Sequence, residues 1–211
     1  MPSAAARAFS SLRTEGSSAS AALPVAGAPA DAQLIALATV SQHEAFDALY
    51  AAYRSRIYGF LVRLLGDPEL TDDVTQETFT KAFTALPSLE RGTKVLPWLY
   101  RVASNAGIDH LRRRRRFLWL RSSAVENTRD EPHTGDSAGR IGEREDIQAV
   151  LGKLPPENSV ALLLHAVEGY SYREIADIQG TSLTAVRSRI ARARAAFKRD
   201  WNATKGRSPA S

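Results

Sequence analysis

Apolar residues recur at steps of three and four along most of the chain, and this spacing predicts helices. The first apolar face covers residues 46–65, and Gly66 is expected to end that helix because glycine tolerates a left-handed conformation. A second helix is expected from about Thr71, with acidic residues in its first turn. Pro97 is expected to open a third helix, which runs into the consecutive arginines at 112–116.

A second block of the same pattern covers about residues 147–201. The prolines at 155–156 start its second helix, and a Ser-Tyr-Arg-Glu capping box at 171–174 starts a short third helix. Gly180 separates that short helix from a long final helix. Because no run of alternating β-branched residues appears, the sequence predicts an all-α fold.

Composition divides the chain into two basic blocks with an acidic stretch between them. The 211 residues carry 28 Lys and Arg against 23 Asp and Glu, a net charge of +5. The acidic segment at 122–145 contains Gly and Pro and lacks apolar periodicity, so we expect a flexible linker there. The sequence therefore predicts two small helical domains, at 41–121 and 146–203, between a disordered start at 1–40 and a disordered tail at 204–211.

The composition also excludes several classes of protein. The chain contains no cysteine, which rules out a disulfide scaffold, a Cys-ligated zinc site and a cysteine nucleophile. No stretch approaches about 18–20 consecutive apolar residues, so we expect no insertion into a membrane. The basic balance favours an acidic partner, and nucleic acid is the first candidate.

The two helices around Gly180 have the pattern of a helix-turn-helix. The final helix has an apolar stripe through Val186 and Ile190, and its other side is basic, with no acidic residue from 184 to 199. Such a helix can enter the major groove of duplex DNA, where Arg pairs with guanine through two hydrogen bonds. A solvated amphipathic helix is the alternative, but the capping box and the glycine turn favour DNA binding.

The third predicted helix carries a face of different chemistry. At about 100° per residue, Trp98, Arg101, Asn105, Asp109 and Arg112 fall on one side. This mixture suits single-stranded nucleic acid, because aromatic rings stack on bases while arginines neutralise phosphates. The arginine run by itself is equally compatible with a targeting signal or a nonspecific patch.

No group of residues indicates catalysis or metal binding. The four histidines are scattered without the spacing of metal ligands. Asp72, Asp73 and Glu77 form an acidic group, which we interpret as an acidic helix start rather than a metal site. We therefore expect a protein that is not an enzyme and has no catalytic residue, no cofactor and no metal.

Several segments resemble the sigma factors of bacterial transcription. The run Asp-Asp-Val-Thr-Gln-Glu-Thr-Phe at 72–79 is similar to a motif of sigma region two, and residues 98–112 are similar to the end of that region. Three further segments resemble sigma region four: residues 154–157, 168–176 and 186–189. Because a short linker joins the two regions and leaves no room for a region three, the chain resembles the extracytoplasmic-function (ECF) group of the sigma-70 family.

The resemblance, which covers about residues 43–201, implies a sigma factor that binds the RNA polymerase core through the β′ clamp and the β flap. The residues implied in clamp binding share one outward face: Asp73, Gln76, Glu77 and Thr80. Those implied in melting the minus-ten element and holding its single strand are Trp98, Arg101, Asn105, Asp109, Arg112, Arg113 and Arg115. Those implied in binding the minus-thirty-five duplex are Ser171, Tyr172, Arg187, Ser188, Ala191, Arg192 and Arg194.

The resemblance also implies control by an anti-sigma factor and a cytoplasmic location. A flexible linker would let the two domains pack together in an off state. Thr75 stands where the family usually has an aliphatic residue, a departure expected to tune the affinity for the clamp.

Three alternatives remain at this point. The main one is a helix-turn-helix repressor or activator that acts without direct binding to the polymerase core, which leaves the region-two motif unused. A DNA-processing enzyme such as a recombinase would need a nucleophile with supporting groups, and we find none. The third is an interaction protein whose basic tail merely docks on a partner.

Overall fold

The computed structural model describes residues 30–124 and 140–205, and within them the side chains of residues 30–117 and 146–203. These residues form eight α-helices and a short 3-10 turn at Leu86–Ser88, with no β-strand among them. The predicted all-α fold is confirmed for this part of the chain. In chain order the helices are α1 (Asp31–Ala38), α2 (Gln42–Leu65), α3 (Pro68–Ala85), α4 (Val95–Ala124), α5 (Arg140–Lys153), α6 (Pro156–Ala166), α7 (Tyr172–Gln179) and α8 (Leu183–Lys205).

Helices α2, α3 and α4 pack together as the first domain. Gly66 ends α2 with a φ of 68°, a left-handed conformation that glycine adopts readily. Helix α3 begins earlier than predicted, because Asp67 is its N-cap and accepts a 3.2 Å hydrogen bond from the backbone N–H three residues on. Pro68 is thus the first helical residue, and the interpretation of Asp72 and Asp73 as first-turn acids is wrong.

Helix α1 lies within the segment that the sequence predicted to be disordered. Its residues Leu34, Ile35 and Ala38 are buried, and the helix packs against α2. The prediction of disorder is therefore wrong for residues 31–38, while residues 1–29 lie outside the described part of the chain. A helix of about two turns is too short for its apolar period to stand out against its surroundings.

Helix α4 begins two residues before Pro97 and packs its apolar side, including Leu99, into the first domain. Gly107 lies where α4 comes closest to α2, since a Cβ at that position would stand 2.8 Å from Cδ2 of Leu64. This close approach fixes how the other faces of α4 are presented.

Helices α5 to α8 form the second domain, in which α8 packs against α5, α6 and α7. Its core includes the buried residues Val160, Ile175 and Ile190. Phe197 and Trp201 stack with their ring centroids 5.8 Å apart, so α8 contributes to the core along most of its length.

The helices that flank the predicted linker are longer than the sequence indicated. Helix α4 continues to Ala124 and α5 begins at Arg140, so both ends of the predicted linker at 122–145 are helical. Residues 140–145 contain two arginines and two glutamates, which favour a helix without adding apolar periodicity. Residues 125–139, and 206–211 of the predicted tail, lie outside the described part of the chain.

The two domains contact each other. Helix α2 touches α5 and α6, and α4 touches α6 and α7. Phe60, Tyr100 and Tyr170 form a chain of edge-to-face ring contacts across the junction, with centroids 5.2 Å and 5.5 Å apart. Since Tyr100 and Tyr170 are 0% and 1% exposed, the cores of the two domains are continuous here.

Candidate nucleic-acid and polymerase interfaces

Helices α7 and α8 and the turn between them form a helix-turn-helix. Gly180 ends α7 with a φ of 59°, as its position in the sequence predicted. The predicted capping box is present: the N–H of Glu174 donates to Oγ of Ser171 at 3.3 Å, and the N–H of Ser171 donates to the Glu174 carboxylate at 2.9 Å. Ser182 caps α8 by accepting a hydrogen bond at 3.1 Å from Ala185 N–H.

The outward face of α8 is open to solvent. Its inward stripe, through Val186 and Ile190, is buried as the spacing predicted. The five α8 residues implicated in duplex binding are all exposed: Arg187, Ser188, Ala191, Arg192 and Arg194. The helix therefore presents guanidinium groups along one side of a rigid element, a geometry suited to the major groove.

Three other residues near this face are held by the domain itself. Arg189, which the sequence placed on the basic side, is half-buried and donates from Nη1 to Oε1 of Gln179 at 2.8 Å. Ser171 is exposed at the start of α7, where its hydroxyl belongs to the capping box. Tyr172 is half-buried against His165, with the ring centroids 4.8 Å apart.

Six of the seven residues on the predicted single-strand face of α4 are exposed: Arg101, Asn105, Asp109, Arg112, Arg113 and Arg115. Trp98 is half-buried and packs against the hydrophobic core. Although exposed, Arg101, Arg112 and Arg115 also lie next to the second domain.

Three arginines of α4 meet acceptors or backbone of the second domain. Arg112 forms an ion pair with Glu157 in the first turn of α6. Burial raises the pKa of Glu157, but hydrogen bonds from its own backbone and from Arg112 outweigh this and lower the pKa. Arg115 donates to two carbonyl groups at the end of α5, one of them at 2.8 Å. Arg101 lies next to Gly180, the glycine in the turn of the helix-turn-helix. A Cβ built on Gly180 would stand 3.7 Å from Nη2 of Arg101.

A buried polar group joins the domains, and nothing in the sequence indicated it. Nε of Arg56 in α2 donates at 3.1 Å to Oη of Tyr100 and at 3.1 Å to the carboxylate of Glu168, and the Tyr100 hydroxyl donates to the same carboxylate. The Glu168 side chain is only 8% exposed. Burial, and then the charge of Glu168, raises the pKa of Tyr100 well above its usual range, so the phenol keeps the proton that it donates.

The outward face of α3 carries the residues implicated in polymerase binding. Asp73, Gln76 and Thr80 are exposed. The Glu77 side chain is held by two contacts. Its carboxylate accepts a hydrogen bond from Lys81 at 2.6 Å and lies 3.0 Å from Nε2 of His110 in α4. The hydrogen bonds from Lys81 and then from His110 lower the pKa of Glu77, against a smaller opposing effect of burial.

Thr75, which was expected to tune the affinity for the clamp, does not lie on this docking face. It is 4% exposed and points into the core of the first domain. Its Oγ1 is buried without a hydrogen-bond partner in the part of the chain that the structure describes. The departure therefore affects packing within the domain rather than the surface presented to a partner.

Within residues 30–117 and 146–203, no group of three or more His, Asp or Glu side chains could hold a metal ion. Among the eight described helices, none combines the length and apolar character needed to cross a membrane.

Comparison with known proteins identifies the class to which these domains belong. The family model for sigma-70 region 2 matches residues 49–117, and the model for sigma-70 region 4 matches residues 144–197. The RNA polymerase sigma-H factor of Pseudomonas aeruginosa is 34% identical over 178 residues, which cover 79% of this chain and 91% of that protein. The ECF RNA polymerase sigma factor SigE of Mycolicibacterium smegmatis is 36% identical over 156 residues, which cover 71% of this chain and 58% of SigE.

A solved structure has a similar fold. The structure of CnrH in complex with the cytosolic domain of CnrY superposes with a TM-score of 0.59 at 29% identity, covering 83% of this chain and 99% of the matched chain. The chain belongs to the sigma-70 family, with one domain for region two and one for region four. Within that family it is an ECF sigma factor, an alternative sigma factor that acts in transcription initiation, and the repressor or activator interpretation is not favoured.

Proposed function

We propose that the chain binds the RNA polymerase core, recognises the minus-thirty-five and minus-ten elements of its promoters and assists their melting. The observation that carries this proposal is the presence, in one chain, of two basic faces of different chemistry. The outward face of α8 suits duplex DNA, and the mixed face of α4 suits a single strand. A repressor or activator needs only the first of these faces.

The minus-thirty-five element is read as duplex by α8. Arg187 and Ser188 are exposed in the first half of the helix, where a recognition helix contacts base edges. Arg192 and Arg194 follow along the helix and contact the phosphate backbone. Ser171 and Tyr172, at the N-terminus of α7, position the domain on a phosphate beside the groove.

The minus-ten element is held as a melted strand by α4. Exposed Asn105 and Asp109 offer an amide and a carboxylate for the edges of extruded bases, and the half-buried Trp98 offers an aromatic ring for stacking. Arg101, Arg112, Arg113 and Arg115 neutralise the backbone of that strand. Extruding a base costs a few kcal/mol in lost stacking, which contacts with the extruded base offset without ATP.

The polymerase core docks on α3 through Asp73, Gln76, Glu77 and Thr80, with the β′ clamp as the partner surface and the β flap as the partner of the second domain. The contact between Glu77 and His110 supports a direct link between this docking face and the melting helix α4. Holding α4 in place while α3 is engaged aligns the single-strand face with the polymerase.

A protein inhibitor is the expected regulator. CnrH is bound to the cytosolic domain of CnrY in its solved structure, which supports control of this chain by a protein partner. We propose that this partner is an anti-sigma factor that covers the polymerase-binding faces. The place of action is the cytoplasm, where the polymerase and the chromosome lie.

Run-off transcription tests the proposal. Purified chain and bacterial core polymerase are incubated with genomic DNA fragments of the source organism, and transcripts are mapped at their 5′ ends. We expect a small set of start sites that share two upstream elements and that disappear when either the chain or the core enzyme is omitted. Absence of any chain-dependent transcript, together with absence of core binding, would contradict the proposal.

A further inference from the structure

One large apolar side chain is exposed on the proposed duplex-binding helix. Leu183 is the first residue of α8, is 38% exposed and lies outside the buried core. The other large apolar side chains that are exposed in the described part of the chain, Val40, Tyr50 and Phe117, lie outside the second domain. Within the described residues of the second domain, Leu183 is therefore the one large apolar group that a partner can reach.

Local contacts fix the first turn of α8 and with it the position of this leucine. The Ser182 hydroxyl accepts a hydrogen bond at 3.1 Å from the N–H of Ala185, and the Ser182 carbonyl accepts one at 3.1 Å from the N–H of Val186. Val186 is 0% exposed, so it anchors the same turn in the core of the domain. Leu183 therefore extends from a backbone that is both capped and anchored.

Leu183 continues the row of residues that we propose to bind the minus-thirty-five duplex. At about 100° per residue, Leu183, Arg187 and Arg194 fall within about 40° of one another around the helix, and all three are exposed. Because residues four apart on a helix are neighbours, Leu183 lies one turn before Arg187. The first residues of a recognition helix are those that contact base edges, so Leu183 is placed to contact a base rather than a phosphate.

The major groove offers an apolar side chain one apolar partner among the base edges. That partner is the C5 methyl group of thymine, since the other distinguishing groups are hydrogen-bond donors and acceptors. A leucine side chain can neither donate nor accept a hydrogen bond, so a base donor or acceptor buried against it would be left unpaired. An arginine one turn further on selects guanine instead, through two hydrogen bonds.

We infer that Leu183 reads a thymine of the minus-thirty-five element through its C5 methyl group. The inference deepens the proposed function and rests on it, because it requires α8 to lie in the major groove. Four residues of a helix span about 6 Å and successive base pairs are about 3.4 Å apart, so the thymine lies within about two base pairs of the pair that depends on Arg187. Leu183 is thus a specificity-determining residue for a second base pair.

Removal of the methyl group alone tests this contact. The polymerase holoenzyme is bound to a mapped promoter in which each thymine of the minus-thirty-five element is replaced in turn by uracil, which lacks only the C5 methyl group. We expect one replacement to lower the affinity by about fourfold, the factor that burial of one methyl group contributes. In Leu183→Ala the same replacement is expected to change the affinity by less than about 1.5-fold, because the methyl group has lost its partner.

Two controls separate this contact from general effects. Leu183→Met keeps an apolar side chain of similar volume, so it is expected to retain most of the preference for thymine over uracil. Uracil in place of a thymine between the two promoter elements is expected to leave the affinity unchanged. Leu183→Ala is expected to fold normally, as circular dichroism checks, because the position is exposed and alanine favours helices.

Several results would overturn the inference and leave the proposed function standing, provided that the promoter still gives a chain-dependent transcript. They are the absence of any thymine whose methyl group matters, a thymine preference that survives in Leu183→Ala, and a loss in Leu183→Ala that is equal on thymine and uracil promoters. Weaker assembly of Leu183→Ala with core polymerase, with the thymine preference intact, would assign the leucine to a protein contact instead.

Failure of the proposed function gives a different result. If no DNA fragment yields a chain-dependent transcript, the proposed function fails. The comparison of thymine with uracil is then made on duplexes that the full chain selects from a random pool, and a preference for thymine that is lost in Leu183→Ala would still support the inference. Selection of no duplex would overturn the inference as well.

Discussion

Helices α4 and α8 both carry exposed arginines, and those of α4 also bond to the other domain. Arg112 and Arg115 bond to acceptors of the second domain and Arg101 lies beside its turn, whereas the outward arginines of α8 face solvent. The difference does not come from the helices themselves. It comes from the acceptors that the chain places opposite them, a carboxylate and the carbonyl end of α5 in one case and solvent in the other. Arginine content therefore indicates nucleic-acid binding but not which of these side chains also hold the two domains together.

The largest expected effect is a loss of stability from a substitution at the junction of the two domains. Tyr170 is 1% exposed and packs edge-to-face on Tyr100. Tyr170→Ala is expected to lower the free energy of unfolding by about 3–5 kcal/mol, measured by urea denaturation, because it empties a buried aromatic position.

Tyr170→Phe is the matched control for that change. The Tyr170 hydroxyl is buried and has no hydrogen-bond partner among the described residues. Its removal is expected to leave stability unchanged or to raise it by about 1 kcal/mol. A loss below about 1 kcal/mol for Tyr170→Ala would mean that the ring is not buried between the domains in solution.

The next effect concerns the duplex-binding face of α8. Arg187→Ala is expected to cost about 1–3 kcal/mol in binding to a selected promoter duplex and to relax the preference for one base pair. Arg194→Ala is expected to lower the salt dependence of binding by about one unit without changing base preference. Competition binding with single-base variants of the duplex, repeated across salt concentrations, distinguishes the two variants. If Arg187→Ala loses the same affinity on every sequence, Arg187 contacts phosphate only.

A smaller effect concerns the helix that carries the polymerase face. Because the hydroxyl of Thr75 is buried without a described partner, Thr75→Val is expected to raise the free energy of unfolding by about 1 kcal/mol and leave the affinity for core polymerase unchanged. Thr78→Val is the control, since the Thr78 hydroxyl donates to the Val74 carbonyl at 2.7 Å and its loss is expected to destabilise by about 1 kcal/mol. A changed affinity for core polymerase in Thr75→Val would place that side chain at the docking face.

The smallest effect is a pH dependence confined to the first domain. The contacts with Lys81 and His110 lower the pKa of Glu77 in the folded chain. These contacts therefore stabilise the fold fully at pH values above the ordinary carboxyl pKa. Their contribution is lost as the pH falls through the lowered pKa. The side chain is one-third exposed, so we expect Glu77→Gln to cost about 0.5 kcal/mol at neutral pH and nothing at strongly acidic pH. Urea denaturation at both pH values checks this, and a cost that persists in acid would assign it to packing.

Local features of the fold were predictable from the sequence because they depend on neighbouring residues. The end of α2 at Gly66, the capping box of α7 and the turn at Gly180 all follow from backbone conformation and short-range hydrogen bonds. The exposed and buried sides of α8 follow equally from its period. The early start of α3 was missed because the helix was expected only from about Thr71, although Asp67 can cap a helix.

The features that escaped prediction depend on residues far apart in the chain. Arg56 and Glu168 are 112 positions apart, and no period or motif links them. Arg189 lies on the basic side of α8 by spacing, yet it turns back to Gln179 because a hydrogen-bond acceptor is within reach there. The contact between the domains belongs to this second group.

One measurement tests most directly whether the chain holds a single strand with α4 and a duplex with α8. A photo-crosslinking amino acid is placed at Asn105 or at Ser188, and the polymerase holoenzyme is irradiated on a mapped promoter. We expect the Asn105 probe to crosslink to the non-template strand near the minus-ten element only after the promoter opens, and the Ser188 probe to crosslink near the minus-thirty-five element before and after opening. Crosslinks from both probes to the same element, or crosslinks at Asn105 that do not depend on opening, would contradict the assignment.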